Sequence, residues 1–324
     1  MDTRPTTDAP GDRGLGEAPG SEAGANAAGR FDFRAFHQQV ADLAGKQVFL
    51  VGGAAKSGTT WVQALLDGHP RVSCTGENHF VNSLRPKLRM CLEDYNRSLL
   101  DQRGNTAYQL GKAPALIERG EFWYVYVCAM LAILLKQARG KSVLAVGDKT
   151  TVNVRAFGEI ASLIPGSKLI HVARDPRDAV LSGWHHVRRL FPEPARSHFP
   201  TLVDYARHYA DTWVDEVGHG VAFGAGNPDR YLELRYEDLV ERTGPTLAPA
   251  FRFLGVDDDD EVVQECVQQA SFETLSGGRA RGQEDPSSFF RKGIVGEWKT
   301  GLDPESTAYV VAKCRDLMTH FGYL

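Results

Sequence analysis

Nowhere does the sequence stay apolar long enough to cross a bilayer. Its longest apolar run, Phe122 to Leu135, has 14 residues between Glu121 and Lys136; a spanning helix needs about 20, so a buried core helix is expected. Cysteine is scarce and dispersed. Cys74, Cys91, Cys128, Cys266 and Cys314 form no CxxC pair, which argues against structural zinc or any other metal and reads as small buried hydrophobes in a reducing compartment. A charge excess of one sign is missing too. With 37 Lys+Arg against 41 Asp+Glu the net charge is −4, so no general field draws the chain to nucleic acid or an anionic membrane. An anionic ligand must therefore be captured by a local cluster of donors. The first residues show neither the basic stretch nor the apolar core of a secretory signal, and cytoplasmic location is the expectation. No internal repeat is present.

What remains is an ordinary globular composition, 42% apolar over 324 residues, enough for one large domain with a sizeable core. Residues 1–30 are rich in Gly, Ala, Pro, Asp and Glu, with Leu15 the one sizeable aliphatic. Such a segment cannot offset its ordering entropy and is expected to be a disordered tail ahead of a domain over 31–324. Within that domain Phe33, Phe36, Val40 and Leu43 recur at helical spacing, and Val48–Val51 fits a buried strand. Val143–Val146, Lys168–Val172 and Tyr231–Leu234 are further strands. Val154–Leu163 reads as a helix, and Asp175-Pro176 and Asp303-Pro304 are helix starts, Asp as N-cap and Pro at the first helical position. Residues 276–290 read as a long mobile loop. Alternating strands and helices imply an α/β domain with a central parallel sheet flanked by helices and ligands at the strand carboxyl ends.

The first strand runs into Gly52-Gly53-Ala54-Ala55-Lys56-Ser57-Gly58-Thr59-Thr60, and Trp61, Val62, Leu65 and Leu66 continue as a helical stripe. Strand, glycine-rich turn and helix is the context of a phosphate-binding loop, in which backbone amides at the helix start cradle an oxyanion. Gly53 and Gly58 have Walker A spacing, but Thr59 stands where that pattern has lysine, and the loop's lysine is Lys56. A relocated lysine suits a nucleotide whose 5′-phosphate carries something other than a γ-phosphate.

Here the sequence resembles the PAPS-dependent sulfotransferases, PAPS being 3′-phosphoadenosine 5′-phosphosulfate. Lys56-Ser57-Gly58-Thr59-Thr60-Trp61 is similar to their 5′-phosphosulfate loop, and Arg174-Asp175-Pro176-Arg177-Asp178 with Ser182 to their 3′-phosphate motif. Phe290-Arg291-Lys292-Gly293-Ile294-Val295-Gly296-Glu297-Trp298-Lys299 is similar to the RKGxxGDWK segment of the cytosolic branch. The resemblance covers about residues 45–305. It implies a P-loop-NTPase-like sulfotransferase fold, PAPS as co-substrate with PAP as product, and no metal. It also implies that Tyr236 and Phe272 face the adenine, with Trp61 a further stacking candidate. Independently, Arg174 at a strand end can fork onto a phosphate, and Ser182 two turns into the next helix can add a hydroxyl.

Sulfuryl transfer needs in-line attack by an acceptor oxygen and a base for its proton. In the cytosolic branch that base is a histidine in a KTHxP-like segment, whereas this chain has Asp148-Lys149-Thr150-Thr151, with Thr151 at the histidine position. Gly76-Glu77-Asn78-His79-Phe80 instead resembles the E-x-H-F segment of the carbohydrate branch, which also has a lysine like Lys149 before a Ser or Thr. Glu77 is therefore the expected general base and His79 its helper, with Lys56 and Lys149 neutralising charge; His185 and His186 are rival bases. Residues 81–135 should shape the acceptor pocket, compatible with a small-molecule, lipid or carbohydrate hydroxyl. A monomer or homodimer is expected, and the cytosolic branch's short dimer signature is absent after Trp298. Two other readings stay open, a P-loop kinase-like phosphotransferase and a nucleotide-binding module without turnover.

Overall fold

Strand β1 (Gln47–Gly52) takes the expected apolar run and places it at the centre of a five-stranded sheet of order β2-β3-β1-β4-β5. The other strands are β2 (Val72–Ser73), β3 (Ala145–Lys149), β4 (Lys168–Ala173) and β5 (Tyr231–Arg235), and every pairing is parallel. Register sets Val51 beside Lys149 and Ile170. The carboxyl ends of the three central strands therefore lie together. This computed structural model describes residues 31–101, 111, 114–191 and 198–324; the tail expected over 1–30 lies outside them.

Alternation along β1 divides the core. Phe49 and Val51 face a layer built by α2 (Thr59–Asp67), α8 (Tyr236–Glu241), α9 (Thr243–Leu254) and α10 (Asp260–Gln269), while Val48 and Leu50 face the other side. That other layer contains α1 (Phe33–Ala44), α4 (Arg119–Gln137) and α5 (Phe157–Leu163). Helix α3 (Arg85–Asp101) precedes α4 and buries none of its residues. A third apolar cluster joins α6 (Pro176–Leu190), α7 (Leu202–Gly226) and α13 (Pro304–His320). Two short helices, α11 (Phe272–Leu275) and α12 (Trp298–Gly301), flank the long loop between them. Fully buried Phe49, Leu50 and Leu65 each contribute about 1.5–3 kcal/mol relative to exposure.

Local signals decide most boundaries. Asp175 and Asp303 cap α6 and α13, accepting from Arg177 N (2.9 Å) and Ser306 N (2.9 Å), with proline at each first position. Three expectations need correction. The helix expected over 154–163 begins as a tighter 3-10 turn, Thr151–Ala156, and the strand expected over 143–146 runs on to Lys149. The apolar run in α4 buries Tyr126, Met130 and Leu134, yet Tyr124 is 63% exposed, so one face alone is core. Helix α7, 25 residues long, is disguised in the sequence by the glycines of 218–226. Contact explains two of them: a Cβ at Gly220 would lie 2.5 Å from the His171 ring, and one at Gly224 2.4 Å from the Tyr231 ring. The glycines let α7 press onto β4 and β5.

Candidate active site

The turn after β1 is built from left-handed backbone. Gly53 (φ 153°) carries no Cβ because one would meet the Val172 carbonyl oxygen at 2.2 Å, and Gly58 (φ 92°) because one would meet the Tyr236 ring at 2.5 Å. Lys56 holds φ 67° without that excuse, the kind of strained position that clusters at functional sites. Helix α2 starts at Thr59, so its first amides face the turn. Ser57 is fully buried and its hydroxyl has no hydrogen-bond partner. Burial, then the charges of Arg174, Arg189, Arg291 and Lys149, push the Lys56 ammonium down to about 8.

A cleft of about 300 Å³ opens beside this turn, at the lower end of the range for small-molecule sites. Arg174, just past β4, donates to the carbonyl oxygens of Lys56 (3.3 Å) and Ile294 (3.1 Å) and lies 4.3 Å over the Tyr236 ring. Its neighbours do not neutralise it: Asp175 chelates Arg177, and Asp178 caps the amides of Gly296 (2.6 Å) and Trp298 (2.9 Å). The Arg174 Nε is buried with no partner. Ser182, Arg291, Lys292 and Gly293 line the same cleft, as do the flat faces of Trp61, Tyr236 and Phe272. Trp61 is pinned by its indole N–H to the Ala270 carbonyl (2.8 Å), edge-on to Tyr236. A Cβ on Gly293 would sit 2.5 Å from the Phe272 ring. Buried donors without partners beside close-fitting glycines and aromatic faces are what a flat, doubly phosphorylated nucleotide requires.

Beyond the turn, Glu77 lines the cleft, and its carboxylate accepts from the buried Lys149 ammonium, which also donates to the Thr60 hydroxyl at 3.0 Å. Asp148 secures the Glu77 loop, accepting from Asn78 N (2.9 Å) and Nδ2 (2.8 Å) with one oxygen and from Thr150 and Asn153 (each 2.9 Å) with the other. His79, at φ 51°, brings Nε2 to 3.7 Å from Glu77. His186 borders the cleft, and burial followed by Lys56 and Arg189 pushes it down to about 4. Among the described residues no group of three His, Cys, Asp or Glu side chains is arranged to hold a metal ion, and no helix is long and apolar enough to cross a membrane.

The expected site residues thus converge, with three differences. Ser57 and Lys149 are buried behind the cleft wall, and His79 is exposed beside the cleft without lining it. Ala55, Leu275, Arg281, Phe289 and Ile294 line it without having been singled out. Arg281 stacks 5.0 Å from Trp61 and 5.5 Å from Phe272, and Lys56 reaches 4.4 Å from the Phe289 ring. The loop expected to be loose is cross-tied, Arg279 donating to the carbonyl oxygens of Phe290 (2.6 Å) and Arg291 (3.0 Å). Their signal was arginine and phenylalanine density in a stretch lacking helical or strand periodicity. The acceptor region expected over 81–135 falls partly outside the described residues.

Known proteins are similar to this chain in sequence and in fold. Cytosolic sulfotransferase 17 of Arabidopsis thaliana is 30% identical over 179 residues, 49% of this chain and 51% of that protein. Rat sulfotransferase 1C2 is 29% identical over 147 residues, 41% of this chain and 48% of that protein. The chain spans about half the length of the curated relatives it matches. The fold is shared with mouse sulfotransferase SULT7A1 complexed with PAP, at a TM-score of 0.53, 17% identity and coverage of 87% of this chain and 88% of that one. Retinol dehydratase in complex with androsterone and inactive cofactor PAP gives 0.52, 20% identity and coverage of 90% and 88%. The family model described as "Sulfotransferase family" matches residues 48–260, from the first strand through the phosphate loop, Arg174 and Tyr236 to the start of α10, and the chain belongs to that family.

Proposed function

We propose that this protein transfers a sulfuryl group from PAPS to a hydroxyl of a small-molecule, lipid or carbohydrate acceptor, with Glu77 as general base. The observation that carries the reading is the meeting of Glu77, Lys149 and Thr60 at the end of the phosphate loop, in the wall of a cleft whose other end is the Arg174 clamp. The loop amides with Lys56 and Thr59 would hold the 5′-phosphosulfate, Arg174, Ser182 and Arg291–Gly293 the 3′-phosphate, and Trp61, Tyr236 and Phe272 the adenine. The Arg174 Nε, without a partner among the described residues, fits the 3′-phosphate.

When bound, PAPS supplies a sulfuryl group whose bond to the 5′-phosphate oxygen breaks as the acceptor oxygen attacks in line. Glu77 takes the acceptor's proton at its carboxylate, and the buried Lys149 orients it through their ion pair. Lys56 and Lys149 counter the charge that develops on the transferring and leaving oxygens. His79 is close enough to Glu77 to share that proton. Relatives named as cytosolic support action in the cytoplasm.

Glu77→Gln keeps the shape and removes the base. Turnover with labelled PAPS and a panel of hydroxyl acceptors is expected to fall about 10²- to 10⁴-fold with PAP affinity within twofold; a near wild-type rate would remove Glu77 from the role. Calorimetry with PAP against ATP tests the donor, and preference for ATP would overturn the reading in favour of phosphotransfer.

A further inference from the structure

We propose that helix α7 is a spacer that fixes the separation of the two phosphate-binding ends of the cleft, with Tyr209, Trp213 and Glu216 as its positioning residues. The proposal rests on the bisphosphate-nucleotide reading above. Spacings of four and three residues put all three side chains on one helical face. All are buried, at 4%, 0% and 5% exposure.

Their polar ends leave the helix and finish on the backbone of the two turns that form the cleft. The Tyr209 hydroxyl donates to the carbonyl of Ala55 on the phosphate loop. The Trp213 indole N–H donates to the carbonyl of Arg174 at 3.3 Å. The Glu216 carboxylate faces the Ala55 amide, which with Arg155 Nε at 3.4 Å counters its charge, while its Oε2 has no hydrogen-bond partner among the described residues. Ala55 and Arg174 both line the cleft. The circuit closes on its far side, where the Arg174 guanidinium donates to the Lys56 carbonyl. The phosphate loop and the Arg174 turn are therefore bridged twice, once directly and once through α7.

Apolar side chains could have packed this helix. Buried polar ones carry a desolvation cost unless they are satisfied, so they hold α7 and the two turns to one register. The helix is itself tied to the sheet through the contacts of Gly220 and Gly224 with His171 and Tyr231. The separation between the ends is consequently set before a nucleotide arrives, which lowers the ordering cost for a ligand carrying phosphates at both positions. A ligand that engages one end gains nothing from it.

The experiment measures Kd by calorimetry for adenosine 5′-phosphate, adenosine 3′-phosphate and 3′-phosphoadenosine 5′-phosphate, on the wild type, Tyr209→Phe and Trp213→Phe, with melting temperatures alongside. Tyr209→Phe is near-isosteric and removes one hydrogen bond, whereas Trp213→Phe removes the indole hydrogen bond together with core volume, a loss that the melting temperature reads separately. The bisphosphate is expected to lose about three- to tenfold in affinity while each monophosphate stays within about twofold. An unchanged preference for the bisphosphate in both variants would overturn the proposal. So would an equal loss on all three ligands with a lowered melting temperature, which would make α7 ordinary packing. A wild type that does not prefer the bisphosphate overturns the nucleotide reading itself, and this proposal with it, without reference to any variant.

Discussion

The two ends of the cleft are made of different materials. At the phosphate loop the ligand surface is backbone, locked by left-handed glycines against Val172 and Tyr236 and backed by fully buried Ser57. At the opposite end it is side chains on a loop, and their charges are already spoken for: Arg291 pairs with Glu284 and Glu297, and Lys292 with Glu297 at 3.2 Å. The first end is preorganised and cannot adapt, because any shift meets close-packed core. For the proposed nucleotide, the second would exchange carboxylates for a phosphate. One chain thus combines a rigid anion cradle with a cationic clamp held in reserve by its own acids.

Glycine substitutions at the two ends should break this contrast most sharply. At Gly58, alanine adds strain at φ 92° and a contact 2.5 Å from Tyr236; nucleotide affinity is expected to fall about a hundredfold, roughly 2.8 kcal/mol. At Gly293, φ 68° and 2.5 Å from Phe272, the loop can yield, and a loss of about tenfold is expected. Equal losses in calorimetry would erase the distinction between rigid and adaptable ends. Comparable in size, Arg174→Ala should cost PAP binding about 1.5–3 kcal/mol and leave adenosine 5′-phosphate within a few fold; a matching loss on both ligands would deny it the 3′-phosphate.

Smaller effects sharpen the electrostatics. Because the free Lys56 ammonium titrates at about 8 and a bound anion favours its protonated form, affinity should be full below that pH and decline above it. The slope is at most about one log unit per pH unit. Lys56→Arg should remove the decline, since guanidinium stays charged; a decline that persists would assign it elsewhere. The smallest change expected is at Glu284→Gln, which releases Arg291 from one competing carboxylate. PAP affinity should rise by up to about fivefold, the scale of a solvent-exposed ion pair, and a fall would make Glu284 an orienting partner.

Much of the fold was legible because the central strands are apolar on both faces and end in recognisable turns: Val48–Val51 into the glycine loop, Lys168–Val172 into Arg174. Helix α7 was not, since the glycines that let it touch His171 and Tyr231 read as loop residues. The acceptor side was the least legible. Helix α3 leaves none of its residues fully buried: Leu88, Leu92 and Asn96 share a half-buried face, but exposed apolar residues such as Met90 and Tyr95 blur the stripe that would point to its partner.

By itself, the sequence determined where a turn of the phosphate-binding kind is expected, because such turns are local: residues adjacent in the chain supply the amides, the left-handed glycines and the lysine. A net charge of −4 also already required that any anion site be a cluster. Only the tertiary structure decided how the clusters combine. The parallel register brings Val51, Lys149 and Ile170 side by side, so that Lys149 reaches Glu77, 72 residues away, and Arg174 reaches Lys56 across 118. Those distances depend on strand order and on which buried polar groups find partners, and neither is written in any short stretch of chain.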